Sequence, residues 1–120
     1  MPLGYIEYKP ISSKGLKITI GKNSESCIII DIFGNNSNKC GKCTIFASYG
    51  SQTYNYSGQT PIHYLKKVTN TDSVDLYLFH SGMFLSYGVL LNGNSNRDTN
   101  ISIINSESEI PSNATTISPL

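Results

Sequence analysis

Hydrophobic and polar side chains alternate in short runs along almost the whole chain. In residues 16–20, for example, three aliphatic residues alternate with Lys17 and Thr19. A period of two indicates a β-strand, because successive side chains of a strand point to opposite faces. Such runs recur about every eight to twelve residues, separated by stretches rich in Asn, Gly and Ser. This pattern predicts an all-β fold, an antiparallel and jelly-roll-like β-sandwich of about eight or nine short strands.

The alternating runs divide the chain into one domain and a tail. We predict strands over residues 5–9, 16–21, 27–33, 43–49, 53–56, 63–69, 74–80, 83–91 and 100–105. Residues 34–39 and 92–96 are rich in Asn and Gly, which favour turns. Residues 1–105 are predicted to form a single sandwich domain. Residues 106–120 lose the alternation and contain two prolines, so we expect an extended segment packed on that domain.

Two of the predicted strands are apolar on both faces. In residues 27–33 three isoleucines share one face, and Asp31 interrupts an otherwise apolar opposite face. Residues 74–80 show a similar two-sided pattern. Such a strand either has both faces covered or packs one face against another subunit. The candidates for a subunit contact are Ile28, Ile30, Leu76 and Leu78.

The composition predicts a neutral and polar surface. Hydrophobic residues make up 38% of the chain and charged residues 14%, below the usual ~45–50% and ~25%. Ser, Thr and Asn fill the difference, with 17, 9 and 12 residues. The modest apolar content leaves room for a core that neighbouring subunits complete.

Charge and hydropathy argue against two classes of partner. The formal net charge is +1, and Lys66 and Lys67 form the only adjacent basic pair, so we expect no nucleic-acid partner. No apolar stretch approaches the ~20 residues of a membrane-spanning helix, so we expect no membrane insertion. The first residues also lack the pattern of a signal peptide. We expect a chain made in the cytoplasm, or a piece of a longer protein.

Three cysteines are the first candidates for chemistry. Cys40 and Cys43 form a Cys-x-x-Cys pair, and Cys27 is the third. Two thiolates at this spacing can bind zinc, with His63 or His80 as a further ligand, or act as a redox couple. The odd cysteine count argues against a secreted disulfide scaffold. We expect three reduced and mostly buried thiols around a turn, and no metal or other cofactor; a zinc site and a disulfide are the alternatives.

No catalytic constellation is recognisable in the sequence. Hydrolysis needs a nucleophile with a base and an acid, or two facing carboxylates. Asp31 and Asp75 lie inside predicted strands, but the sequence gives neither of them a catalytic partner. The glycines fall singly in turns and form no phosphate-binding loop. We expect no catalytic residue and no enzymatic activity.

A cluster of tyrosines and amides is the strongest candidate for a binding site. Tyr offers apolar stacking area with a polar tip, and Gln and Asn offer paired hydrogen bonds, a mixture that suits sugars and protein interfaces alike. The alternative is an ordinary β-hairpin in which Tyr serves as a strand former. The candidate residues for carbohydrate or receptor binding are Tyr49, Gln52, Tyr54, Asn55 and Tyr56.

The strands and turns follow a particular order. A Tyr-rich first strand precedes an alternating strand, a strand with a Gly-Asn turn, two paired strands, an Asn-rich turn with a further strand, and a Pro-containing end. The corresponding segments are residues 5–9, 15–20, 30–35, 74–80, 83–91, 100–103 and 108–115. In this order of features the chain resembles the C-terminal domain of bacteriophage tail fibres and tailspikes.

The resemblance implies a homotrimeric β-sandwich at the distal tip of a fibre or spike, and therefore a location in the virion. It implies that the domain assists trimer assembly and binds bacterial surface polysaccharide or another receptor. Any depolymerase activity would belong to the upstream part of such a protein. The implied partners are thus two further copies of the chain and a host-surface glycan.

Two other functions are compatible with the residues. The first is a monomeric, lectin-like carbohydrate-binding module that uses the segment 49–56. The second is a small cytosolic zinc-binding β domain that uses the three cysteines and a histidine. The mass of the chain in solution separates the trimer from the monomeric module, and elemental analysis tests for zinc.

Overall fold

The chain folds into two β-sheets packed face to face. The computed structural model describes residues 5–13, 15–34, 39–58, 64–79, 85–95 and 99–117, and describes side chains over 15–33, 40–58, 65–79, 87–90 and 99–117. The strands are β1 (Tyr5–Ser13), β2 (Gly15–Gly21), β3 (Glu25–Gly34), β4 (Lys39–Ser48), β5 (Gln52–Gly58), β6 (Tyr64–Thr69), β7 (Ser73–Phe79), β8 (Leu85–Ser95), β9 (Thr99–Ile104) and β10 (Thr115–Thr116). A single 3₁₀ turn, Glu107–Glu109, completes the elements of the described residues.

Each sheet contains five strands. Sheet A has the spatial order β1-β8-β3-β4-β5, and sheet B has the order β10-β6-β7-β2-β9. All of the strand pairs are antiparallel. The chain crosses between the sheets after β1, β2, β5, β7 and β8, whereas β3, β4 and β5 form a meander inside sheet A. The predicted antiparallel β-sandwich is confirmed.

All nine predicted strands are present, within a few residues of their predicted bounds. One predicted turn is wrong, because β8 continues through residues 92–95. In this stretch Asn92 pairs with Cys27, and Ser95 pairs with Glu25. Pairing with the central strand β3 thus overrides the local turn preference of Asn and Gly, as tertiary context commonly does in sheets.

The C-terminal segment is anchored to sheet B at several points. Glu109 caps the 3₁₀ turn, since its carboxylate Oε2 accepts hydrogen bonds from the backbone N–H of Asn105 at 2.7 Å and of Ser106 at 3.0 Å. Ile110 packs against the outer face of sheet B. Beyond it β10 pairs with β6, and Ile117 is buried in the main core. The pairing of β10 was not predicted, because two residues are too few to show alternation.

The main core lies between the two sheets. In β2 the predicted alternation is confirmed, since Leu16, Ile18 and Ile20 point inward and are at most 3% exposed. The buried members of this core are Leu16, Ile18, Ile20, Ile28, Ile30, Ile32, Cys43, Ile45, Ala47, Tyr54, Leu65, Val74, Leu76, Leu78, Tyr87, Val89 and Ile117. The core is therefore dominated by aliphatic side chains from strands of both sheets.

Strand β7 is covered on both faces by its own chain. Its inner side chains belong to the main core, and its outer residues Tyr77 and Phe79 are only 3% and 1% exposed. They form a second cluster with Ile104, against which Val68 and Ile110 pack. The two-sided apolar pattern of this strand is thus explained within one chain, without a neighbouring subunit.

The four candidates for a subunit contact lie inside the folded chain. Ile28, Ile30 and Leu76 are fully buried between the sheets, and Leu78 is 1% exposed. A folded protomer cannot present these side chains to a partner, because they fill its own core. The expectation is corrected accordingly: a contact between copies of the chain has to use other residues.

The assignment of faces in β3 predicts a contrast between two adjacent isoleucines. Ile30→Ala should lower the free energy of unfolding by about 2–5 kcal/mol, because it leaves a cavity between the sheets. Ile29→Ala, on the half-buried outer face, should cost about 1 kcal/mol or less. Urea unfolding of both variants, in protein dilute enough that association does not contribute, measures the difference. Equal losses would contradict the assignment.

Candidate functional site

The outer face of sheet A carries exposed apolar side chains. Phe33 of β3 is 40% exposed, and Phe46 of β4 is 44% exposed. Both lie on the opposite side of their strands from the buried core residues. The outer face of sheet B differs, because the second cluster and the C-terminal segment cover it. Sheet A therefore presents the surface that is best suited to bind something else.

Strand pairing arranges part of this face into an apolar patch. Cys27 lies beside Phe46 across the β3–β4 pair, and Ile29 lies beside Leu90 across the β3–β8 pair. Cys27, Ile29 and Leu90 are half-buried. We call these four residues the apolar patch. Directly opposed side chains of an antiparallel pair are close neighbours, so the four form one continuous surface.

A groove of about 400 Å³ adjoins the apolar patch at the other end of the same face. Asp31, Lys42 and Ser57 form a row across β3, β4 and β5 at this end. Phe33 and Cys40 form the next row. The full lining is Asp31, Ile32, Phe33, Cys40, Gly41, Lys42, Ser57 and Gly58. The groove therefore combines an aromatic ring with a carboxylate, an ammonium and a hydroxyl.

The charged pair of the groove is loosely held. The Lys42 ammonium lies 3.9 Å from Asp31 Oδ1, and the two side chains are 58% and 70% exposed. An exposed pair at this distance contributes at most about 1 kcal/mol to stability. Both groups can therefore exchange this contact for hydrogen bonds to a ligand at small cost.

Two glycines allow β4 and β5 to approach closely at the groove. Gly58 has a φ of +121°, a conformation that side-chain-bearing residues rarely adopt. A Cβ atom on Gly58 would lie 2.6 Å from the Cys40 carbonyl oxygen, and one on Gly41 would lie 2.7 Å from the Tyr56 hydroxyl. Only glycine fits at both positions without a shift of the neighbouring atoms.

The structure does not gather the tyrosine and amide candidates on one surface. Gln52 and Tyr54 point inward and are 8% and 9% exposed, and Tyr56 packs against the same core. Burial raises the pKa of the Tyr54 and Tyr56 hydroxyls. Of the five candidates, only Asn55 is an exposed side chain that points outward. The side-chain period of two separates these neighbours, so β5 presents no tyrosine platform.

Two of these candidates join the sheets instead. The Tyr49 hydroxyl donates to the carbonyl oxygens of Asn70 at 2.7 Å and of Thr71 at 3.1 Å, in the β6–β7 turn. Gln52 Oε1 accepts a hydrogen bond of 2.8 Å from the Lys67 ammonium of β6. The Gln52 amide also donates to two backbone carbonyls of its own hairpin. Both contacts hold the β4–β5 hairpin of sheet A against the β6–β7 hairpin of sheet B.

The cysteine pair cannot act as a unit. Both residues lie in β4 rather than around a turn, and three positions along a strand place them on opposite faces. Cys40 is exposed on the outer face, whereas Cys43 is fully buried in the core. All three cysteines are free, and the described residues contain no group of three metal ligands. His63 and His80 lie outside the described residues.

Asp75 likewise has a structural environment. Its Oδ1 accepts a hydrogen bond of 2.7 Å from the Thr19 hydroxyl, and its Oδ2 accepts one of 3.0 Å from the Asn70 amide. These bonds connect β7 to β2 and to the β6–β7 turn. Asp31, the other candidate in a strand, lies instead in the groove.

Comparison with known proteins gives no match: no protein-family model, curated protein or solved structure matches the chain. The described residues form no helix that is long and apolar enough to span a membrane. The likeness to tail-fibre domains stays a prediction from the order of strands and turns. The chemistry of the outer face of sheet A has to carry any functional proposal.

Sequence reasoning noted the apolar second face of β3 but missed the contribution of β4, although a signal was present. In β4 the inward residues Cys43, Ile45 and Ala47 are apolar, which leaves Phe46 on the side that should be polar. Phe33 lies on the outer side of β3, which was already apolar apart from Asp31. An aromatic residue on the solvent side of an alternating strand was the feature that could have located the site.

The positions of the cysteines predict three different thiol reactivities. Burial raises the pKa of Cys43 to about 12, so at about pH 8 its thiol is almost wholly protonated and unreactive. Iodoacetamide should modify Cys40 rapidly, half-buried Cys27 more slowly, and Cys43 only after unfolding. Mass spectrometry of digested protein measures the three rates, with Cys40→Ser removing the fastest. Modification of Cys43 as fast as Cys40 would contradict the burial of that strand face.

The contacts of Gln52 predict a structural rather than a binding role. Gln52→Leu leaves the Lys67 ammonium without this acceptor and should lower the free energy of unfolding by about 1–3 kcal/mol. Asn55→Leu, at the exposed position on the same strand, should change it by about 0.5 kcal/mol or less. Urea unfolding of both variants provides the measurement. An unchanged Gln52→Leu protein would show that the contact contributes nothing to joining the sheets.

Proposed function

We propose that this β-sandwich is a non-enzymatic assembly and surface-binding domain of the tail-fibre or tailspike kind. It associates as a homotrimer through the outer face of sheet A and binds polysaccharide on a bacterial surface. The observation that carries the proposal is the apolar patch, of which Phe46 on β4 is the most exposed member. The order of strands that resembles tail-fibre domains supports the same proposal.

The apolar patch has the character of a subunit contact. Aromatic side chains at the centre of an interface contribute a large part of the association energy when a partner desolvates them. Phe46 has the half-buried Cys27 directly opposite it on β3 and Ile29 diagonally beside it, so one side of the ring already borders apolar side chains. Burial of such apolar area contributes about 25 cal/mol per Å² removed from water. A second copy that covers the patch therefore gains a hydrophobic contact.

The charges around the apolar patch permit contact between copies of the same face. The patch lies between Glu25 at one end of β3 and the Asp31–Lys42 pair towards the other. None of its four members is charged. Asp31 and Lys42 balance each other, so the end of the face beside the patch carries no net charge that would repel a second copy. The patch itself sets no like charges against each other when copies of the chain meet there.

The two alternative functions receive less support from the geometry. A lectin-like module based on residues 49–56 would need exposed tyrosine rings for sugar stacking, but Tyr54 and Tyr56 point inward. A zinc domain would have to join Cys40 and Cys43, which lie on opposite faces of one strand. The outer face of sheet A has no comparable obstacle, because its side chains lie together and reach solvent.

The mass of the chain in solution tests the proposal. By light scattering after size-exclusion chromatography, the protein should have three times its 13.1 kDa chain mass. Phe46→Lys should shift it to the monomer, since it removes the exposed aromatic ring, whose loss from a contact would cost about 2 kcal/mol or more, and buries an unpaired charge in its place.

Ile103→Lys is the matched control, because Ile103 on the edge strand β9 is 41% exposed and lies outside the apolar patch. This variant should stay trimeric. A monomeric wild-type protein would contradict the proposed trimer. A trimer that persists in the Phe46→Lys variant would contradict the proposed contact.

A further inference from the structure

The groove beside the apolar patch has a composition of its own. Its apolar element is the exposed ring of Phe33, and its polar elements are Asp31, Lys42 and Ser57 in one row. The groove has a volume of about 400 Å³ and is open to solvent rather than enclosed, so it resembles a small-molecule site in its lining and not in its depth. Mostly apolar lining with a few convergent polar groups is typical of such sites.

We propose that this groove binds one uncharged sugar unit of a polysaccharide. The C–H face of a pyranose ring packs on Phe33, because an aromatic ring offers flat apolar area to such a surface. The Asp31 carboxylate accepts a hydrogen bond from one sugar hydroxyl, and the Lys42 ammonium donates to a neighbouring hydroxyl. This inference rests on the proposed function in taking a surface polysaccharide as the target, and it names the residues that hold it.

The balance of charges selects the class of ligand. A phosphate or an acidic sugar would gain from Lys42 but would meet the Asp31 carboxylate 3.9 Å away from that ammonium. A positively charged amine would gain from Asp31 but would be repelled by the Lys42 ammonium. A sugar hydroxyl both donates and accepts, so adjacent hydroxyls satisfy the two groups without a net charge. An uncharged polyol is therefore the ligand that uses both side chains.

The positions of the groove and the apolar patch allow both to work in one assembly. The patch is formed around the Cys27–Phe46 and Ile29–Leu90 pairs, and the polar row of the groove comes further along β3. The patch and the groove share no residue, so copies that cover only the patch would leave the groove accessible. Three weak sites on one trimer can bind a repeating polysaccharide with an avidity about 10²–10⁴ times that of a single site.

Nuclear magnetic resonance of the ¹⁵N-labelled chain tests the groove. The probes are the methyl glycosides of glucose, galactose, mannose, rhamnose and N-acetylglucosamine, each at millimolar concentration. At least one should shift the amide signals of Asp31, Phe33, Lys42 and Ser57 in a saturable manner. No shift with any of the five, or shifts that map to another surface, would overturn the proposal.

Variants then test the individual contacts. Phe33→Ala should weaken the binding about tenfold, by removing the stacking surface. Asp31→Ala should weaken it as well, and exposed Asp31 provides a second variant in case the loss of Phe33 disturbs the fold. Ile103→Ala is the matched control, because Ile103 is 41% exposed and lies outside both the groove and the apolar patch, and it should bind like the wild-type chain. Unchanged affinity in both groove variants would contradict the assignment.

The groove and the assembly can fail separately. Single sugar units bind one protomer, so the titration does not depend on the trimer and can be repeated on Phe46→Lys. Sugar binding by a chain that is monomeric in solution would retain the groove and remove the proposed trimer. A trimer that binds none of the five glycosides would retain the assembly and remove the groove.

Discussion

The burial of one face of each sheet against the other is the interaction on which this structure depends. Strand geometry points alternate side chains to opposite faces, so each strand of the core can supply a continuous apolar row. Ile28 and Ile30 from sheet A and Leu76 and Leu78 from sheet B lie in that interior. Because a single chain fills this space, the remaining exposed apolar residues are not needed to complete the fold.

The two outer faces differ in how far they are covered, and the proposed functional surface lies on the less covered one. On sheet B, Tyr77, Phe79 and Ile104 are covered with the help of Ile110 from the C-terminal segment. On sheet A, Phe33 and Phe46 are left exposed. Exposed aromatic residues of this kind commonly mark binding surfaces. The proposed assembly contact and the proposed sugar site both lie on this uncovered face.

The alternation of hydrophobic and polar residues made the strands predictable, but it did not show what covers each face of a strand. Alternation located all nine long strands and the inward rows of β2 and β3. It could not say whether the apolar second face of β7 was covered by another subunit or by residues such as Ile104, which come together only in the fold. The tyrosines of β5 were misjudged for a related reason. The composition of the segment suggested a binding site. Tyr54 and Tyr56 lie two residues apart, however, so both fall on the same face of β5, and that face points into the core.

The central claim, that copies of the chain meet through the outer face of sheet A, is tested most directly at Cys27. This thiol lies beside Phe46 in the apolar patch and reports locally on whether a partner covers it. Its alkylation rate should be measured across a dilution series, with the rate of buried Cys43 as the internal reference. The account predicts that Cys27 becomes protected at the concentrations where the trimer forms and reacts again on dilution. An alkylation rate that is the same in trimer and monomer would place the contact elsewhere.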